Sequence, residues 1–533
     1  MGDYVNPGVR KFQMSLNSEI YVDKSNLIAK TNALLDTERR FICISRPRRF
    51  GKTMAANMLA AYYGLGNDAS TVFANLAITQ HPTYEEHRNK YHVIMINVQE
   101  FLSKAKQESA SRDIAVTAML DQLRSTIIAE LIEAYPEINY RNKGQFIQVQ
   151  KDIYRWTKRP FVILIDEWDC IFREYKGDDD AQEHYLDFLR LWLKDQGYVG
   201  LAYMTGILPI KKYGTHSALN MFREYSMTNP RQFLDYFGFK GSEVEELAAR
   251  YGVDFDEVKK WYNGYFIELG MPIYNPTSVS ECLESHVFDS YWNKTETYEA
   301  LKDYITFDFD GLQNKYAQLI AGDDLYVNPD KFANDMHTFN SIDDVLTLLV
   351  HLGYLSYCGK NSTVRIPNAE VKREFINSIE DLADWGTIVN AIRSSKALLQ
   401  AIWNKEAAVV AEAVGKVHEE NTSILQYNDE NSLSCVLSLA LYTASNYYSI
   451  IRELPSGKGY ADLVFIPRKK FVDKPAMIVE LKWDRTAKGA ISQIKDKHYI
   501  SALADYHGNL LLVGINYNKE TKDYTCLIEA LDI

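Results

Sequence analysis

The stretch that decides the fold reads Arg40-Phe-Ile-Cys-Ile-Ser45, then Arg46-Pro47-Arg48-Arg49-Phe50-Gly51-Lys52-Thr53. The short apolar run bounded by charge reads as a buried strand. A loop punctuated by proline and glycine follows, and Lys52 to Tyr63 reads as a helix. A strand passing through a loop into a helix N-terminus gathers main-chain N–H groups and the positive end of the helix dipole, a setting that favours phosphate oxygens. Lys52 would reach β- and γ-phosphates, and Thr53 would offer a hydroxyl to Mg²⁺. Against the phosphate-loop pattern GxxxxGK[ST], Gly51, Lys52 and Thr53 fit, and Arg46 stands where the first glycine is expected. Taken alone, the same tripeptide also suits an ordinary helix start.

A second element narrows that choice. Phe161-Val-Ile-Leu-Ile-Asp166-Glu167 is an apolar strand ending in two carboxylates, with Asp166 114 residues after Lys52. Asp166 can hold Mg²⁺, directly or through water, and Glu167 can orient or deprotonate the attacking water. Tyr91–Val98 and Gly200–Thr205 read as further strands, and about 108–135 as one long helical stretch. Continuous apolar strands alternating with helices argue for a parallel sheet covered on both faces. Thr205, closing its strand, can act as a sensor between the carboxylates and the γ-phosphate, or simply end a strand before a turn. The candidate nucleotide-binding set is Arg46, Pro47, Arg48, Arg49, Phe50, Gly51, Lys52, Thr53, Asp166 and Thr205. Thr53 and Asp166 are the Mg²⁺ ligands within it, Glu167 is the catalytic base, and ATP is the expected nucleotide. Arg46, Arg48 and Arg49 add phosphate contacts or form a solvated basic loop; no arginine finger stands out.

Composition bounds the rest. The chain has 533 residues, 59 Lys+Arg and 71 Asp+Glu, a formal charge of −12. An acidic net field does not draw nucleic acid, so such contact needs a local basic patch. Six cysteines without a CxxC pair exclude a disulfide scaffold and a cysteine zinc cluster, and point to reduced thiols in a reducing compartment. The opening MGDYVNPGVRKF has no apolar core of a secretory signal, and no run approaches membrane-spanning length. The expectation is a cytoplasmic protein with no membrane partner.

The run Ser45-Arg-Pro-Arg-Arg-Phe-Gly-Lys-Thr53 resembles that of bacterial predicted AAA-type ATPases with an Arg-Pro-Arg-Arg-Phe-Gly-Lys-Ser/Thr loop, relatives of archaeal-type and STAND-like P-loop ATPases. Tyr21-Val-Asp-Lys24, Asp166-Glu-Trp-Asp169, Trp261-Tyr-Asn-Gly-Tyr265 and Tyr274-Asn-Pro276 are similar as well. The resemblance implies that arginine is usual at position 46. It also implies a PD-(D/E)xK nuclease-like domain at the C-terminus. The Trp261 and Tyr274 stretches carry no chemistry of their own and read as packing.

The C-terminal residues support a metal-dependent core on their own terms. Asp462 opens an apolar strand 18 residues before Glu480, and Ala476-Met-Ile-Val-Glu480-Leu-Lys482-Trp483 is a second. Alternation sets Glu480 and Lys482 on one face. A carboxylate on a buried strand is costly unless paired or bound to metal. Asp462 and Glu480 are therefore the candidate Mg²⁺ ligands, with the Leu481 carbonyl as an additional donor, and Lys482 is the catalytic partner. The plain alternative is the polar outer face of an amphipathic strand. The spacing resembles the PD-(D/E)xK core, with Ala461 in place of proline. Gln493, Lys497 and Tyr499 resemble the supporting helix of that superfamily. Glu430 reads better as a helix N-terminal carboxylate. Between 451 and 499 there are eleven Lys/Arg and six Asp/Glu, against the acid excess of the whole chain. Lys458, Lys469, Lys470 and Lys488 suit a nucleic-acid backbone or a patch packed on acidic protein.

The fold expected is thus α/β: a P-loop NTPase parallel sheet over 1–285, a helical lid or winged-helix-like region over 286–400, and a restriction-endonuclease-like α/β domain over 401–533. In the middle region, 342–351 reads as a helix, and 353–357 with 363–367 as a β-hairpin. In the last, strands are expected near 460–466, 476–483 and 509–516, with a helix over 487–505. The function expected is ATP binding and hydrolysis joined to a Mg²⁺-dependent nuclease-like activity on nucleic acid, DNA in preference to RNA, with homo-oligomerisation compatible. The alternative is a STAND-like regulatory ATP switch whose C-terminal domain binds nucleic acid without cutting it.

Overall fold

The apolar runs of the first half become parallel strands: β1 (Phe41–Ser45), β2 (His92–Asn97), β3 (Phe161–Asp166), β4 (Val199–Gly206) and β5 (Arg223–Tyr225). The sheet order is β2-β3-β4-β1-β5, parallel throughout. This is a computed structural model, describing residues 2–66, 68–108, 115–210, 219–266, 269–292, 297–307, 309, 311–332, 339–380, 382, 385–421, 430–456, 459–496 and 509–532. β1, β3 and β4 are buried along their whole length, which is why they read as unbroken apolar runs. β5 does not: its Arg-Glu-Tyr carries no apolar pattern, and it is recruited by pairing with Ile42–Ile44 at the sheet's edge.

The connections are helical. Lys52–Tyr63 follows β1 and packs against β2 and β3. Of the stretch expected at about 108–135, Ala115–Ala134 is helical and 109–114 lie outside the described residues; a helix Val98–Glu108 that was not expected follows β2. Helix Ala115–Ala134 buries Met119, Leu120, Leu123, Ile127 and Leu131, a stripe at helical spacing. Helix Asp179–Leu193 is capped by Asp178, whose Oδ1 accepts from Ala181 N at 3.0 Å.

The chain divides into two compact units, one of Met1–Trp292 with Tyr326–Glu370, the other of Asn293–Leu325 with Val371–Ile533. The stretch 286–400 is shared between them. In the first unit, helix Ile342–Leu352 precedes an antiparallel hairpin of Ser356–Cys358 and Thr363–Arg365.

The second unit holds a mixed five-stranded sheet in the order Tyr448–Ser456, Gly459–Pro467, Ala476–Trp483, Asn509–Tyr517, Tyr524–Asp532. Only the pair Ala476–Trp483 and Asn509–Tyr517 runs parallel. Helix Ala487–Asp496 lies between those two strands in sequence and packs on both. The three central strands match expectation; the two outer ones lack a clear apolar run. Tyr448–Ser456 contains Pro455, tolerated because the strand lies at an edge. All six cysteines are free, five of them buried. Among the described residues, no helix is long and apolar enough to cross a membrane.

Candidate functional site

β4 lies between β3 and β1, so the carboxyl ends of β1, β3 and β4 meet at one edge of the first unit's sheet. That edge is where ligands bind in open α/β sheets. Gly51 sits at φ 86°, a left-handed turn that an L side chain resists, and a Cβ there would meet nothing within 4 Å. Open space over the turn and the start of a twelve-residue helix make a cradle of main-chain N–H groups. Lys52 is buried, and its Nζ spans the loop, donating to Arg46 O at 2.9 Å and Pro47 O at 2.8 Å. Burial pulls its ammonium below the ordinary lysine value, against the opposing pull of Glu167, Asp166 and Asp169.

Asp166, 1% exposed, ties the site together. Its Oδ2 accepts from Thr53 Oγ1 at 2.6 Å, and its Oδ1 accepts from Thr205 Oγ1. Thr53, Asp166 and Thr205 are therefore one hydrogen-bonded group across three elements. Glu167 follows at φ 53° and pairs with Arg173. Burial pushes the Glu167 carboxyl up; Arg173 and Lys52 oppose that shift.

The loop arginines differ from one another. Arg46 is fully buried, donating Nη1 to Ser45 O at 2.8 Å and Tyr225 O at 2.7 Å, with its guanidinium 5.5 Å from the Phe237 ring centre. Its side chain thus fastens β1 to β5, and the solvated-loop reading does not hold for it. Arg49 is half-buried and donates to Tyr291 O at 3.2 Å; Arg48 is also half-buried. Pro47 and Phe50 are buried, and Tyr265 packs edge-on against Phe50 with its hydroxyl donating to Gly353 O at 2.5 Å. The Trp261–Tyr265 stretch thereby acquires a structural role behind the loop. Asn275 of the Tyr274–Pro276 stretch caps helix Pro276–Ser285.

In the second unit, strand pairing brings the expected carboxylates together. Leu463 faces Val479 in register, and Asp462 Oδ2 accepts from Leu481 N at 2.6 Å. Glu480 is 1% exposed, and its Oε1 accepts from Lys482 Nζ at 2.9 Å and from Gln493 Nε2. Gly514 lies opposite Glu480, and a Cβ there would come 2.4 Å from Ala487 O. This glycine lets helix Ala487–Asp496 approach closely enough for Gln493 to reach Glu480. Lys497 and Tyr499 lie outside the described residues, as do Lys458 and the later part of the expected helix 487–505; of the Glu430 side chain nothing is described.

Both sites have the donors a hard cation uses. Among the described residues no cluster of three or more His, Cys, Asp or Glu side chains forms a metal cage. Mg²⁺ takes one or two carboxylates and keeps several waters, so Asp462 with Glu480, and Asp166 with the Thr53 hydroxyl, fit that chemistry. Sequence reading assigned Asp169 no role beyond its place in the Asp166-Glu-Trp-Asp169 stretch, and Arg173 none at all. Asp169 is fully buried; its Oδ2 lies 3.4 Å from Arg173 Nε and accepts from Ile207 N at 3.0 Å and Leu208 N at 2.8 Å. The four-residue spacing of Asp169 and Arg173 was the available signal.

Residues 7–215 match the family model described as predicted AAA-ATPase, and residues 428–525 match that of the PD-(D/E)XK nuclease superfamily. The chain joins an AAA-ATPase-like region to a PD-(D/E)XK nuclease-superfamily region. The AAA-ATPase-like region contains Lys52, Asp166 and Thr205; the nuclease-superfamily region contains Asp462, Glu480, Lys482 and Gln493. An uncharacterized protein in the vnfD 5' region of Azotobacter chroococcum mcd 1 is 24% identical over 292 residues, 54% of this chain and 52% of that one. The chain thus spans about half the length of the curated relative it matches. The Aeropyrum pernix ORC2 protein, solved as ADPNP-ADP complexes, aligns over 70% of this chain and 98% of its own, at 11% identity and a TM-score of 0.28.

Proposed function

We propose that the protein binds and hydrolyses ATP with Mg²⁺ in its AAA-ATPase-like region and uses its nuclease-superfamily region for Mg²⁺-dependent cleavage of nucleic acid, DNA in preference to RNA. The observation that carries the reading is the convergence of Thr53, Asp166 and Thr205 next to Lys52, matched in the second unit by Asp462, Glu480 and Lys482. Phosphate oxygens would take over Lys52 Nζ from the loop carbonyls of Arg46 and Pro47, while the amides around Gly51 hold the phosphate chain. Thr53 and Asp166 would hold the cation, and Glu167 would accept the proton of the attacking water. In the second unit Asp462 and Glu480 would hold the cation, and Lys482 would orient the nucleophile and stabilise charge on the phosphate. Bound Mg²⁺ supplies charge neutralisation and a more acidic water.

Purified protein incubated with DNA and RNA, with and without Mg²⁺ and ATP, tests the whole reading. Lys52→Ala is expected to abolish ATP turnover. Lys482→Ala is expected to abolish cleavage and leave ATP turnover intact. Unchanged turnover in the first variant removes the ATPase assignment; DNA binding without products in the parent protein favours the regulatory switch instead.

A further inference from the structure

We propose that Arg173, braced by Asp169, is the positioning residue for Glu167 in ATP hydrolysis. The inference rests on the ATPase reading and adds a residue to it. Glu167 comes directly after Asp166, at a left-handed φ of 53° that strains a non-glycine residue. Strain of this kind persists only where the surroundings enforce it, and here they do. Trp168 is fully buried, and its main-chain N–H donates to Thr205 O at 3.1 Å. The Glu167 carbonyl accepts from Cys170 N at 3.1 Å, opening helix Cys170–Glu174.

The backbone alone does not fix a glutamate side chain, which has three rotatable bonds. Arg173 supplies the missing constraint. Its Nη2 binds Glu167 Oε2, and its Nε faces Asp169 Oδ2 at 3.4 Å. Asp169 is anchored in turn by the amides of Ile207 and Leu208, immediately after the strand that ends with Thr205 and Gly206. A continuous chain of contacts, Glu167–Arg173–Asp169–Leu208, therefore ties the candidate base to the turn beyond the candidate sensor. Arg173 and Glu167 have side-chain exposures of 11% and 23%, so the pair is screened less than a surface ion pair. The charged groups around Glu167 are Arg173, Lys52, Asp169 and Asp166. Of the two cations among them, Lys52 is committed to the phosphate loop, which leaves Arg173 to hold the base.

A positioning role separates turnover from binding. Full-length Arg173→Ala, Arg173→Lys and Asp169→Asn would be assayed for affinity toward a fluorescent ATP analogue and for turnover at saturating Mg-ATP. Arg173→Ala is expected to keep parental affinity and lose turnover on the order of a hundredfold, the share a placed general base contributes. Arg173→Lys is expected to recover part of that loss, and Asp169→Asn to lose turnover without losing affinity. Turnover at or above the parental rate in Arg173→Ala overturns the proposal, because the ion pair would then be idle or restraining. Parallel loss of affinity and turnover in Arg173→Lys also overturns it, as a purely structural role. Should Arg173→Ala not fold by circular dichroism, Arg173→Lys and Asp169→Asn decide on the same criteria. Full turnover in Lys52→Ala, or none in the parent, is a failure of the ATPase reading itself and takes the proposal with it.

Discussion

At the scale of single residues, the first unit spends polar groups where burial makes them costly. His92 opens β2 almost fully buried, its Nε2 paired with Thr157 Oγ1 at 2.9 Å and its Nδ1 with the Tyr135 hydroxyl at 2.5 Å. Burial holds its imidazolium down, with a pKa of about 4. The unfolded chain, with His92 near its ordinary value, takes up the proton first. The stability linked to neutral His92 is therefore complete above about pH 6.5 and lost as pH falls toward about 4, up to roughly 3 kcal/mol. Urea unfolding at about pH 7 and about pH 4.5 should show this loss, and His92→Gln should flatten it. An equal loss in the variant would assign the acid sensitivity to other groups. Arg46 makes a complementary point. At the position where the loop pattern asks for glycine, it is an interior strut between Ser45 O and Tyr225 O. A one-dimensional pattern reveals the type of residue but not which way a loop side chain turns.

Elements were legible in proportion to how completely they are buried. β1, β3 and β4 stand out as apolar runs because neighbours cover them on every side. β5, Tyr448–Ser456 and Tyr524–Asp532 lie at sheet edges, where one flank has no strand to satisfy and the sequence is under weaker constraint. Asp462, Glu480 and Lys482 could be collected from sequence because strand alternation and their spacing place them, and Gln493 because its helix resembles the supporting helix of the nuclease superfamily. Arg173 offered only its four-residue spacing from Asp169, since its bond to Glu167 crosses six residues through a turn whose shape depends on a positive φ. Gly514 belongs to the same class: only the helix lying on it explains the missing side chain. Gly514→Ala would push a Cβ into Ala487 O and should cost about 1–3 kcal/mol, a drop readable in the thermal midpoint. It should also reduce nucleic-acid cleavage by moving Gln493 off Glu480, while ATP turnover stays at the parental rate. Parental cleavage in this variant would show that Gln493 does not support the site.

On the scale of the whole molecule, the units are not consecutive segments. The second unit consists of Asn293–Leu325 and Val371–Ile533, and its helix Gly386–Trp403 buries Ile388, Val389, Ile392, Leu398, Leu399 and Ile402. That helix packs on helices Ala407–Asn421 and Glu430–Ala440. A fragment 401–533, cut at the boundary the sequence suggested, would lack most of this helix and expose the surface it covers. It is expected to show no cooperative melting by circular dichroism, whereas the full chain melts cooperatively. A cooperative transition in the fragment would restore the sequence boundary.

The chain passes between the units three times, at 292–293, 325–326 and 370–371. Near two of these passages Glu370 Oε1 receives the amides of Tyr291 and Trp292 at 2.8 and 3.0 Å, and the Ser278 hydroxyl at 2.9 Å. Such threading has a genetic corollary. A gene fusion or recombination event with a single breakpoint cannot exchange one half for another module intact. The two units must therefore be inherited or shuffled together, unless two compatible breakpoints arise in the same lineage.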